Sequence, residues 1–290
     1  MQKNHLKNLL TPYIALARWD KPIGFLLVLF PGLWALFMLG DHVPPMSWVF
    51  LFLIGAILTR GAGCTYNDMV DMNYDRQVVR TRTRPLVLGI ATKKNAAVWI
   101  FIQLLLALGV LLCLPQRIFW PALSVMVIVA LYPWVKRVSH FPQIVLGLAF
   151  NWGVILGAMA QERHLSFKAI FLYLAGVFWT LGYDTIYAHQ DIEDDLKVGV
   201  KSTAIFFGDY SSLFIAGFYA LFWLFLNLAG ILSHVHIVFY CIVAPLIILT
   251  FYRLYQLNLN DPQACLVAFK QNQYIGIIVT MGFAIAKWIK

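Results

Sequence analysis

Long apolar runs recur along the chain, separated by short polar segments. A helix needs about 20 mostly apolar residues to cross a lipid hydrocarbon core. Nine stretches fit that template, at roughly 23–40, 46–66, 94–114, 118–135, 142–160, 167–189, 212–232, 236–256 and 272–288. None shows the period-two alternation of a spanning barrel strand, and an open sheet would leave amide groups unsatisfied in lipid. The pattern therefore predicts an all-α polytopic membrane protein, with about nine transmembrane helices in one bundle. Residues 1–290 read as a single transmembrane domain, with acid-rich loops at about 67–93 and 190–211.

Spacing and charge give an orientation. The connections after the second, sixth and eighth stretches are long, so strict alternation puts them on the side of the N-terminus. Of the 22 Lys and Arg, 16 fall on that side and five on the other, leaving Arg60 inside the second stretch. Lys and Arg concentrate in cytoplasmic connections, so the N-terminus and the long loops are expected in the cytoplasm. The same bias, with anionic headgroups beside it, accounts for the net charge of +9 without nucleic acid as a partner. At 61% hydrophobic and 12% charged, the chain is far from the composition of a soluble domain.

Smaller features fit this reading. The first 22 residues are polar and basic, and the stretch after them is long and lacks an A-x-A exit, so a retained first span is expected rather than a cleaved signal. No mitochondrial presequence is visible either, and the expected location is a bacterial inner membrane. Trp19, Trp34, Trp48, Trp120, Trp134 and Trp288 lie near predicted span ends, as an interfacial belt would. Pro31 and Pro245 fall inside spans and predict kinks. Gly153 and Gly157 form a small-x-x-x-small pair that lets two helices approach closely. Cys64, Cys113, Cys241 and Cys265 make no C-x-x-C pair and read as buried free thiols.

The acids carry the chemistry. Eight of the 13 Asp and Glu lie in two segments, NDMVDMNYD at 67–75 and DTIYAHQDIEDD at 184–195. If the second span continues as a helix, Asn67, Asp71 and Asp75 share one face at i, i+4 and i+8, and Asp184, Asp191 and Asp195 share another at i, i+7 and i+11. Stacked like charges repel unless a cation neutralises them. Oxygen ligands without His–Cys spacing favour magnesium or calcium over zinc. Basic residues follow each cluster: Arg76, Arg80, Arg82 and Arg84 after the first, Lys197 and Lys201 after the second. A carboxylate–metal site flanked by guanidinium and ammonium groups is what a diphosphate requires. Solvated acidic loops are the plain alternative. A divalent-cation transporter is a second, but its acids should lie near mid-membrane rather than at one face.

The two segments resemble the paired signatures of the UbiA superfamily of intramembrane prenyltransferases, N-D-x-x-D-x-x-x-D with R-T-x-x-R-P-L, and a second Asp-rich motif. The similarity extends to DKPIG at 20–24, YPWVKRVSHFPQ at 132–143 and NQYIG at 272–276, and is greatest to the branch that prenylates 4-hydroxybenzoate in ubiquinone synthesis. The run RPLVLG at 84–89 departs from the usual R-P-L-P-S-G, and Ile192 and Glu193 stand where relatives often carry Arg and Asp. The resemblance implies a lateral, lipid-facing cavity and an active site open to the cytoplasm. It implies magnesium-dependent transfer of a polyprenyl group from polyprenyl diphosphate to 4-hydroxybenzoate, or to the acceptor of another quinone branch. No obligate protein partner is expected. Asp71, Asp75, Asp191 and Asp195, assisted by Asn67 and Asp68, are the expected magnesium ligands and catalytic residues. Arg80, Arg84, Lys136, Arg137 and Lys201 are candidates for phosphate oxygens. Tyr132, Tyr183 and Tyr187 are candidates to face an allylic cation.

Overall fold

A computed structural model describes residues 10–289, whose regular structure is all helix, with no strand among them. Lys3, Lys7 and Lys290, which enter the charge count above, lie outside those residues. The helices are α1 Ile23–Leu39, α2 Met46–Asp75, α3 Lys93–Leu112, α4 Phe119–Val138, α5 Pro142–Phe150, α6 Trp152–Gln161, α7 Phe167–Ala188, α8 Ile192–Val198, α9 Thr203–Phe207, α10 Ser211–Leu232, α11 Val238–Gln256 and α12 Pro262–Ile289. Every predicted stretch is occupied by helix. Among the described residues seven helical segments are long and apolar enough to cross a membrane, and α1, at 17 residues, is a shorter apolar helix.

The bundle is organised around α1, which packs on α2, α6, α7 and α12, while α10 lies along α7. The close approach expected of Gly153 and Gly157 occurs against α1. A Cβ on Gly153 would stand 3.1 Å from the Gly32 backbone, and one on Gly157 would stand 2.6 Å from the Ala35 Cβ. The core beside that contact is aromatic: the rings of Trp34 and Trp179 lie 5.0 Å apart, and Phe222 packs on both. Its polar edges are satisfied internally, as lipid surroundings demand. Trp34 Nε1 donates to Thr280 Oγ1 at 3.0 Å, and Asn272 Oδ1 accepts from Trp179 Nε1 and Tyr219 OH at 2.8 Å each.

Several expectations need correcting. Trp34 is fully buried in this core, whereas Trp120, Trp134 and Trp288 are exposed as belt residues would be. The free cysteines divide, with Cys64 and Cys265 buried but Cys113 and Cys241 exposed. The predicted span at 142–160 stands as one apolar segment, Pro142–Gln161, with a turn at Asn151 between α5 and α6, where Nδ2 donates to the Gly147 carbonyl at 2.7 Å and to Thr180 Oγ1 at 2.8 Å. The last helix begins about ten residues earlier than predicted, at Pro262.

Candidate active site

The second span does not stop at residue 66. α2 runs 30 residues to Asp75, so Asn67, Asp71 and Asp75 do share one face over its last turns. Asp71 and Asp75 are buried there, as is Asp68 on the adjoining face. The second segment behaves differently. α7 ends at Ala188 and α8 begins at Ile192, so Asp184 is not in helical register with Asp191 and Asp195. Asp184 stays half-buried on α7, while Asp191 stands at the N-cap position of α8 and Asp195 lies within it. Gly199, with φ of 74°, then takes the left-handed turn that ends α8.

The two acidic segments meet. Arg80, in the loop after α2, grips Asp191 with Nε at 3.0 and 2.9 Å and Nη2 at 2.5 Å. Its Nη1 donates to Tyr187 OH at 2.9 Å, with the guanidinium 5.2 Å from that ring. The Val79 amide donates to Asp194 at 2.9 Å, and the Lys201 amide donates to the Lys136 carbonyl at 3.1 Å. Asp68, Asp71, Asp75 and Asp191 are each matched by a cation from another stretch of the chain. Lys136, from α4, pairs with Asp71, and Arg137 follows at 3.6 Å while stacking on Trp134 and Tyr74. Arg84 bridges Asp75 at 2.5 Å and Asp68 at 2.9 Å. Arg18, which the sequence reading passed over, holds both oxygens of Asp68 at 2.8 and 2.9 Å. Lys201 Nζ donates to the Val138 carbonyl at 3.2 Å and, among the described residues, pairs with no carboxylate. Tyr183 sits in the aromatic core beside Trp179.

These residues fit a divalent cation that takes part of its shell from elsewhere. Asn67 Oδ1 and Asp71 Oδ1 are buried oxygens with no hydrogen-bond donor. Burial, and then the charge of Asp191, push the Asp195 carboxyl up to about 7, against the pull of Lys136 and Arg80. Among the described residues no three His, Cys, Asp or Glu side chains close around one point. Magnesium typically needs no such cage, since it is held by one or two carboxylates and completed by water and substrate phosphate.

Two charges lie deeper. Arg60, on α2, rests 4.9 Å over the Phe150 ring, and its Nε has no hydrogen-bond partner. Among the described residues Asp184, on α7, makes no ion pair and takes no side-chain hydrogen bond.

The model of the UbiA prenyltransferase family matches residues 28–278. The chain belongs to the UbiA prenyltransferase family. A 4-hydroxybenzoate octaprenyltransferase of Pseudomonas aeruginosa is 38% identical over 270 residues, covering 93% of this chain and 91% of its own. The apo structure of a UbiA homolog from Aeropyrum pernix K1 superposes with a TM-score of 0.75 at 21% identity, over 90% of this chain and 97% of that one. A UbiA homolog from Archaeoglobus fulgidus, bound to GPP and Mg2+, gives 0.69 at 18% identity, over 94% and 99%. The fold of this UbiA-family chain is thus that of the solved homologues. Within it, Arg18 escaped the sequence reading because it is 50 residues from Asp68. Arg60 was visible as the one basic residue in mid-span, and Asp184 was grouped with a motif from which the helix end separates it.

Proposed function

We propose that this UbiA-family chain transfers a polyprenyl group from polyprenyl diphosphate to the ring carbon ortho to the hydroxyl of 4-hydroxybenzoate, releasing diphosphate, at the cytoplasmic face of a bacterial inner membrane. The observation that carries the reading is the junction of the two acidic segments through Arg80 and Asp191. That junction gathers carboxylates and cations at one end of an apolar bundle, where a diphosphate head and a hydrocarbon tail have complementary surroundings. The names of close relatives and the magnesium and GPP bound to a homolog support it.

Asn67, Asp71, Asp75, Asp191 and Asp195 are the residues that would hold magnesium, with Asp68 tied to Arg18 and Arg84. When bound, the ion neutralises the leaving diphosphate. Lys136, Arg80, Arg84 and Arg137 already neutralise these carboxylates, and they turn to phosphate oxygens once the carboxylates are engaged. Lys201 lies beside Lys136 through its amide and adds charge to the same rim. Tyr187, held under Arg80, and Tyr132 present ring faces to the allylic cation and exclude water from it. The acceptor carboxylate goes to Arg60. A guanidinium inside a spanning helix costs about 2.5–3.5 kcal/mol, and its retention there marks a function. Its unpaired Nε and the Phe150 ring beneath it suit an aromatic anion.

The test uses the detergent-solubilised protein with polyprenyl diphosphate, magnesium and a set of acceptors. Prenylated 4-hydroxybenzoate that disappears with chelation is expected, with Arg60→Ala raising KM for 4-hydroxybenzoate far more than for neutral 4-hydroxybenzamide. Transfer to another quinone precursor in preference to 4-hydroxybenzoate would refute the acceptor assignment. Metal flux into liposomes without any product would refute the enzyme reading.

A further inference from the structure

Arg80 is the cation that joins the two acidic segments, yet no helix aims it. It lies in the run of turns between α2 and α3, and its side chain is 39% exposed. Among the described residues its guanidinium donates to two partners, Asp191 and the Tyr187 hydroxyl. Asp191 is one of the carboxylates assigned above to magnesium. Once it turns to the ion, Tyr187 is the contact left to aim Arg80 at phosphate. Tyr187 is poorly placed to do so alone, because α7 ends one residue later, at Ala188, and helix ends fray.

The support comes from α12. The Phe269 ring lies 4.5 Å from that of Tyr187 and 5.8 Å from that of Tyr183, one turn back on α7. Both separations suit a favourable aromatic contact. Tyr183 is fixed: it is 1% exposed, its hydroxyl accepts from Thr180 Oγ1 at 3.1 Å, and its ring stands edge-on to Trp179. Phe269 has a firm base of its own. Cys265 and Asn272, at i−4 and i+3 on its face of α12, are both buried, and Asn272 Oδ1 ties that turn to Trp179 and Tyr219. Contacts therefore run unbroken from the aromatic core through Phe269 to Tyr187 and Arg80. Two other cations of the rim rest on different supports: Arg137 stacks on Tyr74 and Trp134, and Arg84 bridges Asp68 and Asp75. Phe269 lies just ahead of the stretch predicted at 272–288, so the sequence pattern did not draw it to the site.

We propose that Phe269 is a positioning residue for diphosphate binding: it braces the Tyr187 ring, and through it aims the Arg80 guanidinium when Asp191 engages the metal. The inference rests on the prenyl-transfer reading above and adds a residue of α12 to its diphosphate site. A phenyl ring offers phosphate neither charge nor hydrogen bond. Its effect must therefore fall on affinity for the diphosphate head, and must vanish when Arg80 is absent. A residue that only filled space would act alike with or without Arg80, and a double-variant comparison separates the two.

The experiment titrates magnesium and inorganic diphosphate into the detergent-solubilised native protein, Phe269→Leu, Phe269→Tyr, Arg80→Ala and the variant with both Arg80→Ala and Phe269→Leu, by calorimetry, and measures prenyl transfer alongside. Loss of one aromatic pair should raise Kd for diphosphate and KM for polyprenyl diphosphate about 3–10-fold in Phe269→Leu. KM for 4-hydroxybenzoate should stay within twofold of native. Phe269→Tyr, which keeps the ring, should stay within twofold on all three. In the Arg80→Ala background, Phe269→Leu should change Kd less than twofold. A Kd for Phe269→Leu within twofold of native, or the same fold-loss with and without Arg80, overturns the proposal. Should Phe269→Leu not fold, Phe269→Met, which fills the space without a ring, is read by the same criteria. A native protein that binds diphosphate but prenylates no aromatic acceptor refutes the underlying reading instead, and the Kd comparison still decides the role of Phe269.

Discussion

The pair of Asp71 and Lys136 separates what holds the site together from what does its chemistry. Asp71 is 1% exposed, and its cations, Lys136 and Arg137, are 20% and 26% exposed. Lys136→Met leaves a buried carboxylate whose remaining cation is Arg137 at 3.6 Å. Breaking a fully buried pair costs about 3–5 kcal/mol, and Arg137 offsets part of it, so about 2–4 kcal/mol is expected. Asp71→Asn instead leaves two cations that reach water, and should cost only about 1–2 kcal/mol. The double variant removes both charges, so its loss should fall short of the sum by about 1–2 kcal/mol, a coupling ordinary for residues in contact. Activity should follow another rule. Losing Asp71 removes a preorganised group from the developing diphosphate charge, an effect of about 10²–10³ in kcat for comparable groups. Lys136→Met in the same background cannot restore it. Thermal unfolding in detergent reads the first quantity, and the initial rate of magnesium-dependent transfer reads the second. If Asp71→Asn stays within tenfold of native turnover, or the double variant regains activity along with stability, Asp71 is a structural partner of Lys136 and the metal assignment is wrong.

Other consequences can be checked with the same preparations. Gly157→Ala puts a Cβ 2.6 Å from that of Ala35, and a well-packed helix contact should lose about 1–3 kcal/mol in thermal unfolding, whereas Gly109→Ala, with open space around it, should not destabilise. Equal stability of the two variants would refute the tight α1–α6 contact. Arg18→Ala removes a two-pronged bond to Asp68 but leaves Arg84 in place, so a loss of about 1–3 kcal/mol is expected, with the magnesium concentration for half-maximal rate unchanged within threefold. A tenfold shift in that concentration would instead place Asp68 among the metal ligands.

The frame was legible because lipid reduces the choices. Apolar length alone marked the helices, and the small-residue spacing at Gly153 and Gly157 marked their closest contact. The spacing of Asn67, Asp71 and Asp75 at i, i+4 and i+8 gave the face of α2 correctly, because a helix carries its register as long as it continues. The same reasoning misplaced Asp184, since nothing in the run YAHQD announces that α7 ends at Ala188. Trp34 was misread for a related reason: its nearness to a span end in sequence said nothing of its face, which Thr280 satisfies from 246 residues away. Arg18 and its grip on Asp68 are a long-range pairing that no local pattern encodes.

The pairing pattern also explains why the site lies at the end of the bundle rather than in its middle. Asp71 takes its cation from α4, Asp191 from the loop after α2, and Asp68 from the segment before α1. A set of carboxylates this dense would repel itself apart if left bare, and a set of cations this dense would do the same. Interleaved, they draw four separate stretches of chain together where partial hydration still lowers the cost of each charge. Phosphate oxygens and a divalent ion have the same signs as the partners they replace, so Arg80, Arg84 and Lys136 can change partners without the site changing its overall balance. Arg60, set deeper, has no hydrogen-bond partner at Nε among the described residues and has no such exchange open to it. A charge so placed suits the acceptor anion proposed above, not the diphosphate.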